Sequence, residues 1–244
     1  MGNEPVVAIG CPIQNREEIV KEYLEGISNL DYPKNKLIPC FFVNNTSDKT
    51  GELILNWMAE NKKDYKLIVY ERDDKVYKRR TDRQDRENRD YTLFTIVRNR
   101  FLKLVKTVEW DYLFSVDSDI IIQPDTLKKL LAHKKEIVSA LVYNGFHFGQ
   151  DWYNYRVKKE RNGRRGYYVY RYIPQNIFKV DVTGACYLIR REVIDRGIKY
   201  KVHKFGEDVG FCEEAKSKGI KIYCDPTIKP EHKLQGDKRW KIGS

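Results

Sequence analysis

Residues 110–124 read WDYLFSVDSDIIIQP, and how this stretch is parsed decides the fold. Tyr112, Leu113, Phe114 and Val116 form an apolar run too short for an ordinary helix, which assigns it to a core strand of an α/β sheet. The run does not close in a Gly or Asn turn. It ends in Asp117-Ser118-Asp119, and Ile120, Ile121 and Ile122 resume the apolar character. Two carboxylates at i, i+2 on a strand end suit a hard divalent cation, which takes oxygen ligands and keeps positions open for phosphate. The same pair could do no more than cap a turn, so the rest of the chain has to choose.

The chain has 244 residues, 41% hydrophobic and 33% charged, enough for one α/β domain with an elaborated loop region. No apolar run approaches the roughly 18–20 residues of a membrane span. The opening MGNEPVVAIG lacks the basic and long apolar regions of a signal peptide. Five cysteines (Cys11, Cys40, Cys186, Cys212, Cys224) are odd in number and scattered, with no C-x-x-C spacing. That argues against zinc and redox motifs and for free thiols in a reducing compartment, so a cytoplasmic location is expected. The formal charge of +11 calls for polyanions, anionic surfaces or phosphorylated donors as partners, without choosing among them.

Outward from the acidic turn, the chain alternates strands and helices. Residues 6–10 read as a first strand opening into a loop at Cys11-Pro12. Ile19, Val20, Tyr23, Leu24 and Ile27 mark an amphipathic helix. Residues 37–43 give a second strand ending in Asn44-Asn45-Thr46-Ser47-Asp48, followed by a helix with Leu53, Ile54, Trp57 and Met58. Residues 66–70 form a third strand. This βαβαβ order predicts a parallel sheet with right-handed crossovers and a ligand site at the carboxyl strand ends. Leu93, Ile96, Val97, Phe101, Leu104 and Val105 restore helical periodicity before the opening strand. Beyond it come a helix with Leu127, Leu130 and Leu131, strands at residues 137–142, 180–190 and 220–224, and a helix beginning at Glu207-Asp208. Gly219 is placed to end that helix.

Two stretches break the rhythm. Residues 71–90 carry eight positive and seven negative side chains, so nothing there supports a packed element. That leaves a solvated excursion or a lid. Residues 151–172 hold seven Lys or Arg against two acidic residues, with six tyrosines interleaved. Asn162-Gly163 signals a hairpin between residues 153–161 and 164–172. Basic residues alternating with aromatics suit a phosphate backbone with stacked bases or a sugar-stacking surface, and equally a plain solvated hairpin.

Six short motifs now stand in one order: CPIQNRE, FFVNNTSDKT, IVRNR, VDSD, VTGACYLIRREV and FGEDVGFCEEAKSKGIKIYCDPTIKPEH. Together they resemble the nucleotide-sugar glycosyltransferases of the GT-A fold, most closely the family 2 type, over about residues 5–232. The resemblance implies a Rossmann-like, mostly parallel central sheet flanked by helices, here with the basic Tyr-rich hairpin as an insertion. It implies a single domain over residues 1–244, with a nucleotide-binding half of about 1–123 and an acceptor-side half of about 124–244.

By the same resemblance, Pro12, Asn15, Arg16, Asn44 and Asn45 would line the donor pocket, with Asn44-Asn45 standing where many members carry Asp. Arg98 would face the diphosphate, where a guanidinium offers forked donors, although it also reads as an ordinary helix residue. Asp117 and Ser118 would touch the donor. Asp119, with Asp117 and His232, would hold Mn²⁺ or Mg²⁺. Asp208 would be the catalytic base, held ionised at a helix N-terminus, with Glu207 as competitor; a base there implies an inverting reaction. Thr183, Gly184 and Ala185 would form the acceptor floor, where small residues leave room for a sugar, with Trp152 beside them.

The function so implied is metal-dependent transfer of a sugar from a nucleoside diphosphate, by preference a UDP-sugar, to a hydroxyl. Basic charge admits a polyanionic or carbohydrate acceptor, including a hydroxylated base in DNA. The alternative from another class is a nucleic-acid-binding protein on a degenerate transferase fold, without turnover.

Overall fold

A computed structural model describes residues 4–75, 91–147, 150–161, 164–170 and 172–233. The expected excursion from residue 76 to 90 and the Asn162-Gly163 turn lie outside the described residues. In chain order the elements are β1 (Val7–Ile13), α1 (Val20–Ser28), β2 (Leu37–Asn44), α2 (Thr50–Asn61), β3 (Val69–Asp73), α3 (Tyr91–Val105), β4 (Tyr112–Val116), β5 (Ile120–Ile121), α4 (Thr126–Ala132) and β6 (Ile137–Ala140). There follow β7 (Tyr143–His147), β8 (Gln150–Tyr153), β9 (Val157–Arg161), β10 (Arg164–Tyr168), β11 (Phe178–Val180), β12 (Cys186–Arg190), α5 (Arg191–Asp195), α6 (Glu207–Ser217), β13 (Ile222–Asp225) and β14 (Glu231–His232).

Eight strands form one sheet in the order β11-β13-β6-β12-β4-β1-β2-β3. Only β11 and β12 run against the others, so the sheet is mostly parallel, as the alternation of strand and helix predicts. Strands buried on both faces need apolar residues at every position. On β1, Val7, Ile9, Cys11 and Ile13 join one core while Ala8 joins the other. The first core is closed by α1, α2 and α4 through Tyr23, Leu24, Ile27, Ile54, Trp57, Leu127 and Leu130. The second is closed by α3, α6 and the tyrosine-rich insertion through Val97, Phe101, Phe211 and Tyr155. Each fully buried large side chain contributes on the order of 1.5–3 kcal/mol.

Several boundaries differ from the sequence reading, each for a local reason. Strand β1 runs through Pro12 to Ile13, because beyond Gly10 it pairs only with β2 and the missing N–H costs no bond to β4. Strand β3 continues to Asp73, whose side chain is buried and ion-paired with Arg100, so the charged run begins inside the sheet. The single strand expected over residues 180–190 is two: β11 ends at Val180 opposite Ile222, the start of β13, and β12 begins at Cys186 opposite Val116, the end of β4, so residues 181–185 lead to the carboxyl edge. The insertion is two hairpins, β7–β8 and β9–β10. Its tyrosines from 153 to 170 serve packing rather than display, while Tyr143 and Tyr172 are exposed. Tyr155 is fully buried edge-on to Phe178 at 5.0 Å, and Tyr167, Tyr168 and Tyr170 lie against the same core. A stripe of aromatics at strand spacing that packs inward is core, and that outcome weakens the base-stacking reading.

Candidate active site

The site is assembled where four parallel strands stop. After β1, residues 14–17 are bound to the loop that follows β2. Gln14 donates its amide N–H to the Asn45 carbonyl at 3.1 Å, and the Arg16 backbone N–H donates to Thr50 Oγ1 at 2.7 Å. The Ser47 N–H donates to Asn15 Oδ1 at 2.9 Å, and the Glu17 N–H donates to Asp48 Oδ2 at 3.0 Å. Asn15 and Asn45 both adopt left-handed backbone, with φ of 49° and 44°, a conformation asparagine tolerates better than most residues. The Asn15 side-chain oxygen is therefore spent on the neighbouring loop, whereas Asn45 Oδ1 is buried without a partner. Asn44 is buried as the last residue of β2, and Pro12 is half-buried within β1.

Asp117 and Asp119 lie in the turn after β4. Asp117 Oδ1 accepts from Arg98 Nη2 at 2.6 Å, and its backbone N–H donates to the Ala185 carbonyl at 2.7 Å. Ser118 between them is buried. The two oxygens of Asp119 face different partners: Oδ2 accepts from Arg16 Nη2 at 3.1 Å, and Oδ1 lies 3.9 Å from His232 Nε2. Strand β14 brings His232 there by pairing it with Ile120, and the Lys233 N–H donates to the Asp119 carbonyl at 2.8 Å. His232 Nδ1 donates to the Tyr143 carbonyl at 3.0 Å, which orients the ring and turns Nε2 toward Asp119. Burial and the neighbouring Asp117 push the Asp119 carboxyl up, against the pull of Arg16 and His232. A carboxylate oxygen beside an imidazole nitrogen is a fitting pair for Mn²⁺ or Mg²⁺. Among the described residues no group of three or more His, Cys, Asp or Glu side chains converges, so two protein ligands would leave the other positions to phosphate oxygens.

Arg98 does not stand at the surface of the pocket. It is buried on α3, bonded to Asp117 and 3.9 Å from Glu207 through Nε, with its guanidinium 5.9 Å from the Tyr200 ring centre. Behind that ring the Tyr200 and Tyr187 hydroxyls are hydrogen-bonded. One Arg98 nitrogen, Nη1, is buried with no partner. Next on the helix, Asn99 clamps the backbone of Tyr200, donating to its carbonyl at 2.9 Å and accepting from its N–H at 3.0 Å. The loop entering α6 is thereby tied to α3.

Glu207 and Asp208 form the first turn of α6 after Gly206, whose φ is 132°. Asp208 Oδ1 is buried and unpartnered. Oδ2 lies against Gly184, so close that a Cβ there would meet it at 2.3 Å. The space that a glycine was expected to leave for an acceptor sugar is filled by the Asp208 carboxyl. Burial first, then the neighbouring charge of Glu207, hold this carboxyl well above the ordinary aspartate range, while Arg98 pulls it down. The helix terminus alone does not keep it ionised. Thr183 is buried and Ala185 takes left-handed backbone with φ of 63°. Trp152 sits on β8 with the Arg156 guanidinium 4.3 Å from its ring centre, so one face of the indole is covered.

Two residues of this neighbourhood escape sequence reading. Asp73 appears as the start of a charged run, and only the extra length of β3 shows it buried beside Asn45, whose N–H donates to its carbonyl at 3.1 Å. Asn154, between two tyrosines, carries no sequence signal.

Residues 4–184 match the family described as glycosyltransferase family 25, N-terminal domain. Over 90% of its length the chain is 23% identical to procollagen-lysine,2-oxoglutarate 5-dioxygenase 1 of Gallus gallus, covering 29% of that protein. Over 96% of its length it is 22% identical to inactive glycosyltransferase 25 family member 3 of Mus musculus, covering 43% of it. The chain thus spans less than half the length of these relatives. Among solved structures, mannosyltransferase PcManGT from Pyrobaculum calidifontis in complex with GDP-Man and Mn²⁺ shares the fold, with a TM-score of 0.61 at 13% identity, covering 97% of this chain and 59% of that one. The sheet and its flanking helices are of the GT-A type, as the motif order implied.

Proposed function

The chain belongs to glycosyltransferase family 25 through that family's N-terminal domain, and from this we propose that it transfers a sugar from a nucleoside diphosphate to an acceptor hydroxyl. The observation that carries the reading is Arg98, which bonds the D-x-D turn through Asp117 and approaches the acidic pair of α6 through Glu207. One buried cation thereby holds the donor-side and acceptor-side carboxylates in a single network.

Asp119 Oδ1 and His232 Nε2 would hold the metal, while Arg16 keeps the other Asp119 oxygen in place. An imidazole beside a carboxylate favours Mn²⁺ over Mg²⁺, which prefers oxygen throughout. When bound, the metal neutralises the charge that grows on the departing diphosphate. Arg98 Nη1, buried and unpartnered, is the protein's own reserve donor for that charge. Asn45 Oδ1 offers an acceptor to an N–H of the donor's base.

Asp208 would take the proton of the acceptor hydroxyl as that oxygen attacks the anomeric carbon opposite the leaving diphosphate, so the centre inverts. Its raised proton affinity limits base action to the fraction that is ionised. The acceptor is a hydroxyl compound approaching over residues 183–185, a glycan being favoured over DNA because five of the six tyrosines in residues 151–172 pack inward.

A second reading, a protein on this fold without turnover, draws support from the relative named inactive. One experiment separates the two. Release of nucleoside diphosphate is scored for a panel of nucleotide sugars with Mn²⁺ and Mg²⁺, with and without glycan acceptors and duplex DNA. Transfer that Asp119→Ala abolishes supports the enzyme; silence across the panel supports the alternative.

A further inference from the structure

Three-residue turns closed by an i to i+2 hydrogen bond with positive φ at the centre are rare and strained. The chain makes one at Gly184-Ala185-Cys186: the Cys186 N–H donates to the Gly184 carbonyl at 2.7 Å, with Ala185 at φ 63°. This turn touches both halves of the site. On one side the Ala185 carbonyl accepts the Asp117 N–H, and on the other Gly184 carries the Asp208 carboxyl against its Cα. A non-glycine residue persists in such a conformation only where its surroundings over-determine it.

What over-determines it is Asn154. This buried side chain donates from Nδ2 to the Gly184 carbonyl at 2.9 Å and to the Ala140 carbonyl at 3.0 Å. Its Oδ1 accepts the Val142 N–H at 2.9 Å, and its own backbone N–H donates to the Val142 carbonyl at 3.0 Å. The amide thus fastens the turn to the end of β6 and to the root of the β7–β8 hairpin. We propose that Asn154 is a positioning residue, which holds the strained turn at Ala185 so that Asp117 and Asp208 keep their relative placement.

The proposal rests on the glycosyl-transfer reading for its activity readout, and the controls keep the two apart. In Asn154→Ala the turn loses its side-chain tie to β6 and the β7–β8 hairpin, and kcat is expected to fall by about 10²-fold, the cost of a roughly 1 Å misplacement of a reacting group, with a smaller change in donor KM. Ala185→Gly removes the conformational penalty of positive φ. The double variant Asn154→Ala/Ala185→Gly is therefore expected to recover at least about tenfold of the lost kcat. A residue that merely fills the core would show a drop in Tm, unchanged kcat in the folded fraction and no rescue by glycine, and that result overturns the proposal. If Asn154→Ala does not fold, Asn154→Ser, whose hydroxyl keeps one donor, carries the same comparison with and without Ala185→Gly. Absence of turnover in the wild-type chain would defeat the transfer reading instead. In that case apparent Mn²⁺ affinity is the readout: it weakens in Asn154→Ala and is restored by Ala185→Gly if the turn, through the Asp117 N–H, seats the loop that carries Asp119, and stays constant in both if it does not.

Discussion

Replacing Gly184 by alanine tests the acceptor-side geometry with one methyl group. Gly184 has an ordinary φ, so alanine meets no backbone penalty and the whole cost is contact. The new Cβ would stand 2.3 Å from Asp208 Oδ2 and 2.8 Å from its Cγ, whereas carbon–oxygen contacts are not sustained below about 3 Å. The Asp208 carboxyl must therefore retreat by about 1 Å, and displacement of a reacting group by that much costs on the order of 10²-fold in rate. Overpacking of this kind costs about 1–3 kcal/mol of stability as well. Initial rates of sugar transfer at saturating donor, with thermal unfolding of the same samples, measure both. The discriminating arm is a double-mutant cycle with Asp208→Ala. If the clash is with the carboxyl, Gly184→Ala costs stability in the wild-type background and almost none once Asp208 is truncated. A Gly184→Ala enzyme with unchanged kcat, or a stability cost that survives truncation of Asp208, would refute the claim that this glycine exists to seat Asp208.

Three further outcomes follow from the same geometry. His232→Ala removes the imidazole partner of Asp119 and should weaken the apparent Mn²⁺ affinity by roughly tenfold or more, read from metal titration of activity in chelator-buffered solution. Asp208 binds its proton more tightly folded than unfolded, because burial and Glu207 raise it, so its contribution to stability is present at low pH and lost as pH rises through its folded pKa. Activity should climb along that same limb, and Asp208→Asn should flatten both curves while lowering the rate by about 10²–10⁴-fold. Gly10→Ala would place a methyl 1.9 Å from the Cys40 carbonyl oxygen of the adjacent strand, so urea unfolding should show a loss of about 3 kcal/mol with no specific effect on metal affinity in the protein that remains folded.

How much of this was legible beforehand depends on the kind of signal. Strand–helix alternation and the acidic turn at Asp117-Ser118-Asp119 give the sheet and its ligand edge, because hydrophobic period and strand-end loops are local properties. Asp119 with His232 is legible only through the order of motifs. No spacing rule joins residues that the β5–β14 pairing brings together. Arg98 was readable as a cation for the site but not as a buried one; its depth comes from the stacking on Tyr200 and the packing of α3 against α6, both tertiary. Gly184 shows the limit most clearly. A small residue in a site predicts space, yet whether a ligand or another side chain takes that space depends on a helix that begins 23 residues later. The tyrosines of residues 153–170 fail in the opposite direction, since interleaved aromatic and basic residues look alike whether the rings face a ligand or a core.

The charges of the site explain why these pieces belong together. Asp117, Asp119, Glu207 and Asp208 bring four carboxyl groups, and Arg16 and Arg98 bring two permanent positive charges, so the cluster is two charges short of neutrality when all are ionised. Around it the chain carries a formal +11, so the deficit is local and runs against the overall balance. Buried like charges without compensation hold protons more tightly, and the Asp119 and Asp208 carboxyls are both raised with burial as the leading cause. A nucleoside diphosphate brings more negative charge and would be repelled by such a cluster alone. The deficit equals the charge of one divalent cation at the Asp119–His232 edge, and with that charge supplied the network approaches neutrality before the donor arrives. The same compensation would lower the cost of ionising Asp208, so the charge that admits the donor would also free the proposed base. On the proposed function, donor binding and proton removal would thus be coupled through Arg98 and one metal charge.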